Sequence, residues 1–124
     1  METTLELLKA LSDKNRLCIM AALNRYEELC ACQITELLQV SGATASRHLS
    51  VLQHAGLLES RKAGRWVYFR LAPSADSGPV LEWLASVFEQ SADTQSDMRK
   101  LDVIVKIDTE DLCRIQRGEE CCPK

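Results

Sequence analysis

Apolar positions recur at helical spacing through the first half of the chain. Thr3 or Thr4 can cap a first helix that carries Leu5, Leu8 and Leu11 on one face. Asp13 stands where the cap of a second helix belongs; Leu17, Met20, Ala21 and Leu23 form its stripe, and it should end near Asn24 and Arg25. Tyr26 to Leu29 connects to a third helix, about Cys32 to Gln39, with Ile34, Leu37 and Leu38 inward. Val40-Ser41-Gly42 is a turn, and Ser41 is placed to cap a fourth helix from Ala43 or Thr44 to His54. Ala45, Leu49 and Leu52 lie at i, i+4 and i+7, so they face the core and leave Thr44, Ser46, Arg47, His48, Ser50 and Gln53 on other faces. Gly56 ends that helix.

The period then changes. Leu57 to Lys62, the pair Ala63-Gly64, and the aromatic and β-branched run Arg65 to Leu71 predict a hairpin with Arg61, Lys62 and Arg65 at its tip. A short helix, a tight turn with glycine and a second helix with a polar, basic outer face make a helix-turn-helix. Its second helix is expected in the major groove of double-stranded DNA, with Arg47 reaching guanine or phosphate and Thr44, Ser46, His48 and Ser50 adding contacts. The basic hairpin after it reads as a wing against the backbone or minor groove. A linker, Ala72 to Pro79, leads to a helix bearing Val80, Leu81, Leu84, Val87 and Phe88, with Trp83 and Ala85 on other faces. A helix this apolar at the edge of a small domain suits pairing with a second copy of itself. Beyond Ala92 the pattern weakens: Leu101, Val103, Val105 and Ile107 alternate as in a strand, while Leu101, Ile104 and Val105 also suit a helix. Thr109 can cap a last helix, Glu110 to Arg117, before Gly118 and an exposed tail with Cys121 and Cys122. The expected architecture is mainly α with a small β-hairpin: a winged helix-turn-helix over 1–91 and a C-terminal extension over 92–124.

Composition narrows the class. The chain has 124 residues, 46% of them hydrophobic, enough for one domain with a core. No window approaches the roughly 20 apolar residues of a membrane span, and Met1-Glu2-Thr3-Thr4 does not open a signal peptide. A soluble cytoplasmic protein is the expectation. Charge is uneven: between Ala43 and Leu71 stand five basic residues and one acid, Glu59, in a chain of net charge −3. A basic module in an acidic protein points to a directed contact with a polyanion. Six cysteines remain to be explained. A disulfide framework does not suit a reducing cytoplasm, and the close pairs Cys30/Cys32 and Cys121/Cys122 read better as soft-ion ligands or redox groups. Cys18 and Cys113 read as small buried apolar residues, His54 as a helix-surface residue, and Trp66, Tyr68 and Phe69 as strand packing. A reductase-type phosphate loop and a Ser/His/Asp constellation are both lacking, so an enzyme fits poorly.

Two stretches carry a resemblance. Glu28-Leu29-Cys30-Ala31-Cys32-Gln33-Ile34 resembles the Glu-Leu-Cys-Val-Cys-Asp-Leu motif of arsenic-sensing repressors. Ser46-Arg47-His48-Leu49 to Leu52, Ala55-Gly56-Leu57-Leu58 and Gly64 to Leu71 resemble the recognition helix and wing of the same proteins. The match, over roughly Leu5 to Pro73, is to ArsR/SmtB-type winged-helix repressors, and within them to arsenical-resistance operon repressors. The resemblance implies a homodimer built on the first and post-wing helices, here through Leu5, Leu8, Leu81, Leu84 and Phe88. It also implies operator binding when ion-free and release when As(III) or Sb(III) binds as inducer.

The residues suit that chemistry. As(III) and Sb(III) are soft and favour thiolates, and Cys30 and Cys32 supply two. Within a regular helix, residues two apart point about 200° from each other. The sulfurs converge only if Cys30 precedes the helix and Cys32 lies in its first turn, which is expected to distort that turn and so strain the DNA-reading unit. Some relatives place a third cysteine where this chain has Thr35. A third sulfur then comes from elsewhere, with Cys121 and Cys122 of either subunit as candidates, or two suffice, or the tail pair is a separate site for methylated As(III). The helix from Val80 to Ala92 has no histidine for a zinc site of the kind other relatives use. Methyl-arsenite, Cd(II) or Pb(II) sensing and a thiol redox switch are the alternatives.

Overall fold

A computed structural model describes residues 2–74 and 77–117, without the side chains at 113–115 and 117. The tail cysteines Cys121 and Cys122 and the Cys113 side chain lie outside the described residues. In chain order the elements are α1 (Glu2–Leu11), α2 (Lys14–Arg25), β1 (Leu29–Cys30), α3 (Ala31–Leu38), α4 (Gly42–His54), β2 (Leu58–Ala63), β3 (Trp66–Leu71), α5 (Gly78–Gln90), α6 (Ala92–Ile104) and α7 (Thr109–Arg117).

Asp13 and Ser41 cap as the sequence anticipates, Ser91 is a cap it did not single out, and Thr3, Thr4 and Thr109 lie within α1 and α7 and do not precede them. Asp13 accepts from the Arg16 N–H at the start of α2, Ser41 from Thr44 N–H at the start of α4, and Ser91 from Thr94 N–H at the start of α6. Each satisfies an amide that the first helical turn leaves without a partner. α4 buries Ala45, Leu49 and Leu52. Gly64 sits at φ 64 in the two-residue turn of the β2–β3 hairpin, a backbone region that glycine enters without steric cost.

Four particulars differ from expectation. First, a short strand, β1, precedes α3 and makes the hairpin a three-stranded antiparallel sheet of order β1-β3-β2, with Leu29 opposite Phe69 and Cys30 opposite Tyr68. Two residues are too few to carry an alternation. Second, α1 turns Leu7, Ala10 and Leu11 inward and leaves Leu5 and Leu8 about half exposed. Third, Leu84 and Phe88, expected in a dimer interface, are buried in the protomer's own core, while Trp83 (64% exposed) and Val87 (40%) face outward and Leu81 is half-buried. A side chain already out of water in the protomer has little surface left for a partner to cover. Fourth, the ambiguous run after Ala92 is helical: Met98, Leu101 and Ile104 are buried at helical spacing, and Val103, which a strand would pair with Leu101, is 63% exposed.

The extension is part of the main core. Met98, Leu101, Ile104 and Leu112 belong to the same buried cluster as Ile19, Ile34, Leu52 and Leu57. Arg25 ties α2 to α6 by bonding both carboxylate oxygens of Asp102 at 2.8 and 2.6 Å, and the Tyr26 hydroxyl donates to the same group. Arg25 first, then Tyr26, hold the Asp102 carboxyl down at about 2. Leu101 is fully buried, so Leu101→Ala is expected to cost about 2–5 kcal/mol through lost transfer energy and a cavity. Urea unfolding measures this, and a midpoint equal to the wild type's would show that α6 is no part of the cooperative unit.

Candidate nucleic-acid interface and thiol site

α3, the turn at Val40-Ser41 and α4 form the helix-turn-helix. Ser46, Arg47 and Ser50 are exposed on the outer face of α4. Thr44 is half-buried, its N–H donating to Ser41 Oγ at 3.1 Å and its Oγ1 accepting from the Ser41 hydroxyl at 3.0 Å. His48 is different. Its side chain is only 15% exposed, and Nδ1 lies 3.2 Å from Arg16 Nη1 and 3.9 Å from Asp13 Oδ2. The ring is turned toward α2, so the expectation that it reaches base edges is corrected. Its position announces this: His48 lies three residues after Ala45 and four before Leu52, on the edge of the core stripe.

The wing is basic but largely self-paired. Arg61 Nε and Nη2 donate to both Glu28 carboxylate oxygens at 2.7 and 2.8 Å, Arg65 pairs with Glu110 at 2.6 Å, and Arg70 pairs with Glu59. Arg61 also stacks over the Tyr68 ring and Arg65 over Trp66. Arg61 therefore reaches across the sheet toward β1, and the expected tip cluster narrows to Lys62 and Arg65. Phe69 packs in the core as anticipated, whereas Tyr68 and Trp66 are half-buried platforms for guanidinium groups. Among the described residues, Arg47 and Lys62 take part in no ion pair. Exposed pairs contribute about 0–1 kcal/mol each, so a phosphate competes readily for Arg65.

The thiols meet at the junction of strand and helix. Cys30 ends β1 and serves as N-cap of α3 at φ −74, ψ 150, with its N–H donating to Gln33 Oε1 at 2.8 Å. Cys32 lies in the first turn. Both are buried, and Cys32 Sγ donates to Cys30 Sγ at 3.3 Å. The sulfurs converge with α3 intact from Ala31, so the expected distortion is not needed to bring them together. At a metal–sulfur distance of ~2.3 Å, one ion spans sulfurs up to about 4.6 Å apart. Thr35 does not stand in for a third thiol: its hydroxyl donates to the Ala31 carbonyl at 2.8 Å. Among the described residues no third His, Cys, Asp or Glu completes a cluster of ligands. Cys18 lies in α2; its thiol donates to Asp97 at 3.8 Å, and burial first, then the Asp97 charge, push it up to about 12.

Two connections leave this junction that sequence reading missed. Cys30 pairs with Tyr68 in β3, and Tyr68 pairs across the hairpin with Arg61 in β2. The thiol turn is thus an edge of the wing sheet as well as the start of α3. On the other side, α7 packs on α3: Gln116 Nε2 donates to the Cys32 carbonyl at 2.9 Å and to Glu36 Oε1 at 3.1 Å. Neither contact leaves a local signature, because each joins residues far apart in the chain.

The family model described as bacterial regulatory protein, arsR family, matches residues 13–60, which run from the α2 cap into β2. The arsenical resistance operon repressor of Escherichia coli (strain K12) is 34% identical over 102 residues, 82% of this chain and 81% of that protein. The chain belongs to the arsR family of bacterial regulatory proteins. The cadmium resistance transcriptional regulatory protein CadC of Listeria innocua serovar 6a (strain ATCC BAA-680 / CLIP 11262) is 46% identical over 61 residues, 49% of this chain and 51% of that protein. Among solved structures, the homodimeric winged helix-turn-helix DNA-binding domain Mb0332 (fragment 1-100) of Mycobacterium bovis, a possible ArsR-family regulator, aligns with a TM-score of 0.57 at 25% identity over 73% of this chain and 82% of that one. This arsR-family chain is accordingly a DNA-binding transcriptional regulator with a winged-helix fold. None of its described helices is long and apolar enough to cross a membrane.

Proposed function

We propose that this regulator is a homodimeric repressor that holds operator DNA when ion-free and releases it when As(III) or Sb(III) binds the thiolates of Cys30 and Cys32. The observation that carries the reading is the meeting of two buried sulfurs, 3.3 Å apart, at a turn shared by the wing sheet and the helix-turn-helix. Soft thiol donors suit a soft trivalent centre; each thiol proton leaves with an arsenite hydroxide as water, so the exchange releases no net proton, whereas a divalent cation such as Cd(II) would displace the protons and bind more weakly as pH falls. An ion that moves Cys30 shifts β1 against β3 and moves Cys32 at the start of α3. Both DNA-contacting parts then respond to one event, and linkage requires bound DNA to weaken ion affinity by the same factor.

Exposed Leu5 and Leu8 on α1 and Trp83 and Val87 on α5 form the apolar surface offered to a second copy, with Leu81 at its margin. Ser46, Arg47 and Ser50 face the bases and backbone, with Thr44 at the helix start and Lys62 and Arg65 at the wing tip. Cys121 stands four residues after Arg117, a reach of about 14 Å for an extended chain. Gln116 of α7 touches the Cys32 carbonyl, and Cys121 and Cys122 of either subunit are proposed as the source of a further sulfur. The relative named for cadmium resistance keeps Cd(II) as the second reading, because that ion also takes thiolates.

Fluorescence anisotropy of a labelled operator duplex, titrated with arsenite under reducing conditions, tests this on the wild type and on C121S/C122S. Release by the wild type with a weakened response in the variant is expected. An equal response would confine the site to Cys30 and Cys32. No response of either protein to arsenite, with release by cadmium, methyl-arsenite or peroxide, would overturn the inducer assignment.

A further inference from the structure

Arg16 joins three elements with one guanidinium. Its Nε donates to the Ala10 carbonyl at 2.6 Å and its Nη2 to the Lys9 carbonyl at 3.4 Å, closing the last turn of α1. The Lys9 carbonyl also accepts from the Ser12 N–H at 3.2 Å, and Arg16 supplies the donor that the end of the helix does not offer Ala10. Its Nη1 meets Nδ1 of His48, in the middle of α4, at 3.2 Å. Its own N–H is held by the Asp13 cap at 3.1 Å, and the same carboxylate lies 3.9 Å from His48. The joint therefore runs from α1, through the start of α2, to the recognition helix.

Beside the joint α1 and α4 part into an open cleft of about 560 Å³, its floor largely apolar through Ala10, Val51 and Ala55, with Arg16 and His54 at its sides. Both helices also bury residues in the shared core, and among the described residues the hydrogen-bonded tie between them runs through Arg16. α1 also carries Leu5 and Leu8, exposed toward the proposed second copy. We infer that Arg16 is a positioning residue: with His48 it keys each recognition helix to the dimer helix α1, and so sets the separation of the two operator half-sites the dimer accepts. A planar fork with donors in fixed directions meets these acceptors together, which a single ammonium cannot do. Two-fold half-site spacing is a geometric property of the pair of recognition helices, so a loosened α1–α4 angle broadens the spacing tolerated. The inference rests on the dimer reading above.

The test measures binding of the full chain to operator duplexes whose half-sites are moved apart or together by one base pair, across a salt series. Wild type is expected to show a spacing optimum. Arg16→Lys and His48→Leu are expected to weaken binding to the optimal operator about tenfold, to flatten the spacing preference and to keep the wild-type slope of affinity against salt. His48→Asn, which keeps an acceptor near the Nδ1 position, is expected to restore the optimum. The double variant should be no worse than Arg16→Lys alone, because both remove one contact. Thermal unfolding and sedimentation of each variant separate a positioning effect from loss of fold or of dimer. A lower salt slope in Arg16→Lys would make Arg16 a phosphate contact, and relaxed specificity at a single base pair in His48→Leu would make His48 a base reader; either overturns the inference. A wild type that sediments as a monomer and shows no spacing optimum would instead overturn the dimer reading beneath it.

Discussion

Cys30→Ser is expected to produce a repressor that stays on its operator at arsenite concentrations that strip the wild type. Removing a group that only hydrogen-bonds a metal ligand already costs about 10–100-fold in affinity, so removing a ligating sulfur itself should raise the arsenite needed for release by about 100-fold or more. Operator affinity without arsenite should stay within a few-fold of wild type, because Cys30 faces the core and no base. The substitution places a hydroxyl in a buried site, which costs about 1–3 kcal/mol if it finds no partner. Cys30→Ala, which adds no polar atom, therefore accompanies it, with thermal unfolding of both. Operator anisotropy against arsenite decides the matter: if either variant releases DNA at wild-type arsenite, the ion binds elsewhere. Cys32→Ser should behave alike, as each sulfur is the other's neighbour at 3.3 Å.

The second large effect is expected from Arg47→Ala. Arg47 is exposed on the outer face of α4 and enters none of the ion pairs among the described residues, so its guanidinium is available to DNA at no cost in broken contacts. Loss of a bidentate guanine contact costs about 1–3 kcal/mol, or roughly 5- to 150-fold in affinity, and relaxes specificity at one position. A phosphate contact would instead reduce the salt slope by about one with uniform loss across sequences. Arsenite binding should be unchanged. Arg61→Ala is the informative comparison: Arg61 is held by Glu28 and stacked on Tyr68, and its loss should weaken operator binding less. Equal losses from the two variants would show that the Glu28 pair opens on DNA, and no loss from Arg47→Ala would move base reading off this helix face.

These expectations draw on different levels of the molecule. The helix-turn-helix and wing are legible in the sequence because each signal is local. A Ser41 cap, a core stripe at i, i+4 and i+7, a helix stop at Gly56 and a glycine turn at Gly64 all act within a few residues of themselves. The meeting of the Cys-x-Cys sulfurs was legible in part: it follows from the position of Cys30 just before the helix, while the distorted turn expected with it is not seen. The inward turn of His48 was half legible. Its spacing from Ala45 and Leu52 places it at the core edge, but its polarity pulled the reading toward DNA.

What tertiary structure alone decided are the contacts between residues distant in the chain. Glu28 meets Arg61, Glu110 meets Arg65, and Gln116 meets Cys32 across 33, 45 and 84 positions. None alters the periodicity around it, and each exists only once the helices and sheet are packed. The same holds for α5, whose apolar surplus says that it must be covered but not by what. Burial of Leu84 and Phe88 in the protomer, with Trp83 and Val87 left outside, follows from how α5 docks on α2 and α6. Local sequence determined which segments are helix, strand and turn, because caps and side-chain period act over one or two turns. Packing decided which charges are already spent, which apolar faces remain open, and that the thiol turn belongs to the wing as well as to the reading unit.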